Sequence, residues 1–158
     1  MEEQELGPIV RADRPIPRGG QFYFEVSIIS LGRNKEIAVG ICVRNTPLDR
    51  FPGWTPTSFG YHGDDGNIFC ESDADPKYFP EKPFKSGDAI GVCLDFNSMT
   101  LTFSRKKKEV QRVQLARHHL DQELFPCVGI SSPGATVRLT VPIAGRFQYL
   151  YRHIIGRL

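Results

Sequence analysis

Residues 53–69 read GWTPTSFGYHGDDGNIF and decide the fold class of this chain. They hold its only Trp, together with Phe59, Tyr61, His62 and Phe69. Two short apolar-aromatic segments flank Asp65-Gly66-Asn67, a turn sequence that calls for positive φ at the glycine. Such a stretch is expected where a tight corner joins two strands of a β-rich fold.

Working outward, strand signals dominate. Phe22-Tyr23-Phe24-Glu25-Val26-Ser27-Ile28-Ile29 is rich in aromatic and β-branched residues and partly alternates. Ile37 to Val43, Ala89 to Phe96, Leu101 to Phe103, Cys127 to Ile130 and Val137 to Val141 follow. Pro, Gly, Asn and Asp clusters separate them, which fits an antiparallel sandwich rather than βαβ units. Asn97-Ser98 and Arg105-Lys106-Lys107-Lys108-Glu109 read as hairpin tips. The end differs. From Phe147 to Leu158 the apolar residues fall at Phe147, Leu150, Tyr151, Ile154, Ile155 and Leu158, a helical spacing that predicts an amphipathic helix over 146–158. The expected division is a β-sandwich over 1–145 followed by that helix.

Composition sets bounds on function. A chain of 158 residues, 40% apolar and 24% charged, is an ordinary single globular domain. Its net charge of +2 gives no global pull toward nucleic acid or membrane. The acidic start Met-Glu-Glu-Gln-Glu predicts no signal peptide, and no apolar run approaches the roughly 20 residues of a spanning helix. Cys42, Cys70, Cys93 and Cys127 lack zinc-ligand spacing, and three lie inside apolar runs, so free thiols in a reducing, intracellular (cytoplasmic) setting are expected.

Several segments, taken in order, resemble the SPRY domain family over about Ile9 to Val141. They are Pro15 to Val26, Ile37 to Ile41, the 53–69 block with Gly60-Tyr61-His62-Gly63-Asp64-Asp65-Gly66, Gly87 to Phe96, and Leu124 to Ala135. One departure is Arg105-Lys106-Lys107-Lys108, where relatives often carry Lys-Asn-Gly. The resemblance implies an all-β, two-sheet antiparallel sandwich, a concanavalin-like jelly roll, here with a short C-terminal helix. It also implies a non-enzymatic module whose loops bind a peptide or protein surface. Carried over residue by residue, it nominates Arg11 and Asp13, then Trp54 and Thr55, then Phe69, then Ser131 and Ser132. Arg11 would pair with an acidic or polar peptide group, and Trp54 would be the apolar anchor. For Trp54 a role as a plug of the sandwich end stays open, and Phe69 reads better as core.

The segment Phe147 to Ile155 resembles the opening helix of a SOCS box, which docks elongin in cullin-type ubiquitin ligases. It carries Phe147 where such boxes usually place Leu and Tyr151 where they place Cys. This nominates Phe147, Leu150, Tyr151, Ile154 and Ile155 as an adaptor contact. The alternative is a helix packed on its own sandwich, with the domain serving as a structural or scaffolding part of a larger protein.

Other chemistry fits poorly. His62 with Asp64, Asp65 and Ser58 could suggest a triad, yet turn carboxylates ordinarily cap backbone N–H groups. Gly60, Gly63 and Gly66 do not form a phosphate loop. Asp64, Asp65, Asp73 and Asp75 lack a calcium-loop pattern. The Arg105–Lys108 run has no aromatic stacking platform in the sequence beside it. No catalytic residue, metal, cofactor or nucleic-acid ligand is therefore expected.

Overall fold

A computed structural model describes residues 8–71, 83–142 and 149–155. Its strands are β1 (Ile9–Arg11), β2 (Gln21–Ser30), β3 (Ile37–Val43), β4 (Ser58–His62) and β5 (Ile68–Cys70). After these come β6 (Ala89–Asp95), β7 (Thr100–Arg105), β8 (Lys108–Gln114), β9 (Leu124–Ile130), β10 (Thr136–Pro142) and β11 (Tyr149–Ile155), with one turn of helix, α1 (Arg117–Leu120), before β9. They form a five-stranded sheet ordered β1-β9-β3-β4-β5 and a six-stranded sheet ordered β11-β10-β2-β6-β7-β8. Every pairing is antiparallel. The expected all-β sandwich is what the chain forms.

The period-two alternation of the strands builds the core between the sheets. Phe24, Val26 and Ile28 of β2, Ile90, Val92 and Leu94 of β6, and Leu101 and Phe103 of β7 point in from one side. Val39 and Ile41 of β3, Phe59 and Tyr61 of β4, and Val128 of β9 meet them from the other. Burying each such side chain contributes roughly 1.5–3 kcal/mol, so this core carries most of the fold's stability.

The turn at Gly66 forms as expected. Gly66 has φ +76, His62 N–H donates to the Asn67 carbonyl (2.8 Å), and the Asp65 carboxylate accepts from Asn67 N–H (2.9 Å). The β7–β8 tip closes on Lys106 and Lys107 alone, with Arg105 paired to Lys108.

One expectation is corrected. Tyr149–Ile155 is a strand, not a helix, and pairs with β10 from Thr136↔Ile155 to Pro142↔Tyr149. The edge of β10 offers unpaired backbone groups, and Tyr149, Tyr151, Ile154 and Ile155 are of the aromatic and β-branched types that suit a ladder. Leu150, Tyr151, Ile154 and Ile155 are thus not a helical stripe, while Phe147 lies outside the described residues.

A further feature lies on the far side of the five-stranded sheet. Every residue of β3, β4 and β9 is buried, so both faces of these strands are covered. One cover is the opposite sheet; the other is the β3–β4 loop, residues 44–57, which folds back across the outer face. Gly60 and Gly129 make this approach possible: a Cβ there would lie 2.3 Å from the Pro52 carbonyl oxygen and 2.4 Å from the Phe51 ring. Ile9, Cys42, Phe125 and Cys127 form a small second core on this side.

Candidate ligand-binding surface

Side-chain and backbone hydrogen bonds fasten the 44–57 loop. Ser58 Oγ accepts from Gly53 N–H (2.7 Å) and bonds Thr55 Oγ1 (2.8 Å). Thr46 Oγ1 accepts from Val43 N–H (3.1 Å) and lies 2.8 Å from Thr57 Oγ1. His62 Nε2 donates to the Pro52 carbonyl (2.7 Å), which places the proton of the neutral ring on Nε2. Burial holds the His62 pKa below its ordinary value, against the opposing pull of Pro52, Asp64 and Asp65.

The imagined Ser58–His62 couple is therefore not a nucleophile and its base. Each of these atoms is spent on a different part of the same loop, and their work is to hold its shape.

On this base stands Trp54. Its ring centroid is 5.4 Å from Phe51 in an edge-on contact, 5.4 Å from His62 and 6.1 Å from Phe69, again edge-on. Phe69 in turn lies 4.4 Å from His62. Three rings thus fix the indole, yet it stays 44% exposed. Edge-to-face pairs of this kind are worth about 0.5–1.5 kcal/mol beyond area burial. That suffices to hold one orientation while an apolar face meets water.

A cationic corner lies on the same outer face. The guanidinium of Arg11, at the end of β1, stands 5.0 Å from the centroid of the Phe125 ring and donates to the Arg44 carbonyl. Arg44 approaches the same ring at 5.0 Å and is paired with Glu123 at 2.7 Å. Beneath them lie the buried thiols of Cys42 and Cys127. Cys127 and then Arg11 draw the Cys42 thiol down, and burial pushes the Cys127 thiol up.

Strand order separates the two features. Arg11 on β1 and the Trp54 cluster over β4 are three strand steps apart, about 15 Å at ordinary spacing. An extended segment of about four or five residues would span that distance.

The nominated residues sort accordingly. Arg11, Trp54 and Phe69 belong to the outer face of the five-stranded sheet, and Trp54 and Phe69 touch. Asp13 is exposed just past β1. Thr55 (4% exposed) and Ser132 (1%) are internal supports instead. Ser132 Oγ donates to the Leu31 carbonyl and accepts from the Asn34 and Lys35 amides, so it shapes the β2–β3 loop. Ser131 is half-buried and its N–H bonds the Glu36 carbonyl. Sequence reasoning passed over Phe51, Arg44 and Phe125. A Phe-Pro-Gly-Trp run, residues 51–54, was the signal for the first.

Glu71, His118 and His119 also gather, with ligand-capable atoms within 4.8 Å of one another. However, His119 Nδ1 accepts the Ala116 N–H (2.9 Å), which leaves its proton on Nε2, aimed at the Glu71 carboxylate. The arrangement holds a proton rather than presenting a lone pair to a metal. It ties α1 to the end of β5, with the His119 ring edge-on to Phe59 at 5.2 Å.

The architecture is an antiparallel two-sheet sandwich whose fastened outer loop leaves an indole exposed. The SPRY domain family matches residues 21–143, and the chain belongs to it. SPRY domains are in general protein-interaction modules, typically non-catalytic. Ran-binding protein 9 of Xenopus laevis is 40% identical over 129 residues, covering 81% of this chain and 23% of that protein. SPRY domain-containing protein 3 of Pongo abelii is 37% identical over 140 residues, covering 85% and 30%. The chain thus spans less than a third of the length of these relatives. A crystal structure of a human SPRY domain superposes with TM-score 0.72 at 34% identity, covering 83% of this chain and 82% of that one. The TRIM65 PSpry domain, at TM-score 0.65 and 19% identity over 86% and 71%, shares the fold.

Proposed function

We propose that the outer corner of the five-stranded sheet binds a short extended segment of a partner protein, without chemistry. Trp54 is the apolar anchor, Phe69 supports it, and Arg11 beside Arg44 takes a polar or acidic group of the same segment. Asp13 and Ser131 stand at the margins. The single observation that carries this reading is Trp54 at 44% exposure on a loop whose backbone is pinned by Ser58, Thr46 and His62. Exposed indoles in preorganised settings are typical binding hot spots. The chain's four cysteines, of which Cys42 and Cys127 are buried, fit a reducing compartment.

A role as substrate receptor of a ubiquitin ligase is the more specific form of this reading. The elongin contact through Phe147, Leu150, Tyr151, Ile154 and Ile155 draws no support from a strand at Tyr149–Ile155. The alternative, a scaffolding domain of a larger protein, predicts no peptide specificity at the Trp54 corner. Selection from a random-peptide library on the purified chain tests the proposal. Enriched peptides should lose at least about tenfold in affinity with Trp54→Ala and with Arg11→Ala. Peptides that bind both variants as well as the parent would overturn it.

A further inference from the structure

The β7–β8 hairpin turns on two residues, and both are lysines with left-handed backbone: φ is +51 at Lys106 and +63 at Lys107. A two-residue hairpin with positive φ at both positions is ordinarily filled by Asn-Gly. A Cβ resists this region, and Asn at least gains a local hydrogen bond there. Lysine has neither advantage. The chain keeps two strained residues where a relaxed pair would fit, and what they supply is charge.

The tip is held from below. Asp88 is 1% exposed and its carboxylate binds Arg105 at 2.6 Å and the Lys85 N–H at 2.7 Å, with Lys106 Nζ at 3.7 Å. Arg105 also donates to the Pro83 carbonyl (2.9 Å) and lies 5.9 Å from the Phe84 ring centroid. Lys106 N–H bonds the Ala89 carbonyl (3.0 Å). The Asp88 carboxylate is thus buried and engaged, and the exposed Glu109 carboxylate is paired with Arg112 at 3.0 Å, whereas Lys85, Lys106, Lys107 and Lys108 are exposed. Four ammonium groups stand on one anchored corner, at the end of the six-stranded sheet.

We propose that this corner is a second interaction surface that docks an acidic segment of a partner protein. Acidic protein is favoured over nucleic acid because, among the described residues, no exposed aromatic stands beside the tip to stack a base. Phe84 is buried, and the large exposed apolar residues among those described are Val10, Ile29, Leu48 and Trp54. The net charge of +2 also gives no extended basic field along which a phosphate backbone would track.

The test is fluorescence anisotropy with the full chain, using a labelled oligoglutamate peptide and a single-stranded DNA of matched charge, at low and physiological ionic strength. The parent binds oligoglutamate in a salt-sensitive manner and in preference to the DNA. The K106N/K107G double variant melts about 3 °C or more higher, since strain is relieved, yet binds oligoglutamate at least about threefold more weakly. K106R/K107R keeps charge and strain together, so it retains binding without the gain in melting temperature. Trp54→Ala leaves oligoglutamate binding unchanged, which separates this surface from the peptide site. No oligoglutamate binding by the parent, undiminished binding by K106N/K107G, or loss of binding with Trp54→Ala would overturn the proposal. Preference for DNA would reassign the surface to nucleic acid, and a lower melting point for K106N/K107G would remove its basis in strain.

Discussion

Gly66 shows how one backbone angle ties sequence to architecture. At φ +76 it closes the β4–β5 turn, and a β-branched side chain resists that region. Gly66→Val should cost about 1–3 kcal/mol, read as a lower denaturation midpoint at unchanged m-value; an unaltered midpoint would refute the turn's role. His62 makes the second residue-scale case. Its folded pKa lies below 6.5 because burial disfavours the charged ring. Between that folded value and 6.5 the unfolded chain binds the extra proton, so stability rises with pH through the window. The contribution is complete above about pH 6.5 and is lost as pH falls toward the folded pKa. Urea titrations from pH 7.5 down to pH 5 should therefore show declining stability, with a shallower decline in His62→Gln. Equal slopes in both proteins would refute the assignment. Hydroxyls, by contrast, were misleading at this scale: Thr55 and Ser132 sit in loops, and nothing in their identity says that they face backbone rather than water.

Among the elements, the loop 83–88 and β7 depend on the Asp88–Arg105 pair. Both partners are largely withdrawn from water, with side-chain exposures of 1% and 15%, and removing one leaves a buried charge uncompensated. Asp88→Asn should then destabilise by about 3–5 kcal/mol, well beyond the 1 kcal/mol or less expected for the exposed Arg112–Glu109 pair. Parallel thermal melts of Asp88→Asn and Glu109→Gln check this, and similar losses would contradict it. Strands of high β-branched and aromatic content, such as Phe22 to Ile29 and Ile37 to Val43, were legible because their composition and their burial agree. β8 was missed because Lys-Glu-Val-Gln-Arg-Val-Gln, residues 108–114, is an edge strand whose charges guard against aberrant pairing. The stretch from Phe147 misled because its apolar spacing of three and four matches the helical period alone, although its aromatic and β-branched residues also suit a strand. A neighbouring ladder on β10 then decides the outcome. The burial of β3, β4 and β9 on both faces was hidden as well. It depends on Gly60 and Gly129 admitting a loop that is distant in sequence.

For the molecule as a whole, the core and the proposed peptide site lie on opposite sides of the five-stranded sheet, which makes stability and peptide binding separable by mutation. The inner side faces the core, where Phe103 is wholly buried and lies 6.0 Å from Tyr61, centroid to centroid. Truncating it leaves a cavity that close-packed neighbours cannot fill. Phe103→Ala should therefore cost about 3–5 kcal/mol, with the affinity of the surviving folded fraction for a selected peptide unchanged. On the outer side, Trp54 contributes through ring edges while nearly half of it meets solvent. Its loop is pinned by Ser58, Thr46 and His62 rather than by the indole. Trp54→Ala should thus lower stability by no more than about 2 kcal/mol, while weakening the peptide by about 2 kcal/mol or more. Calorimetric melting and titration of both variants give a crossed pattern if the division holds. A large melting loss in Trp54→Ala with unchanged affinity would make the indole a plug of the sandwich end. Recognition would then have to be rebuilt around Arg11 and Arg44 over the Phe125 ring.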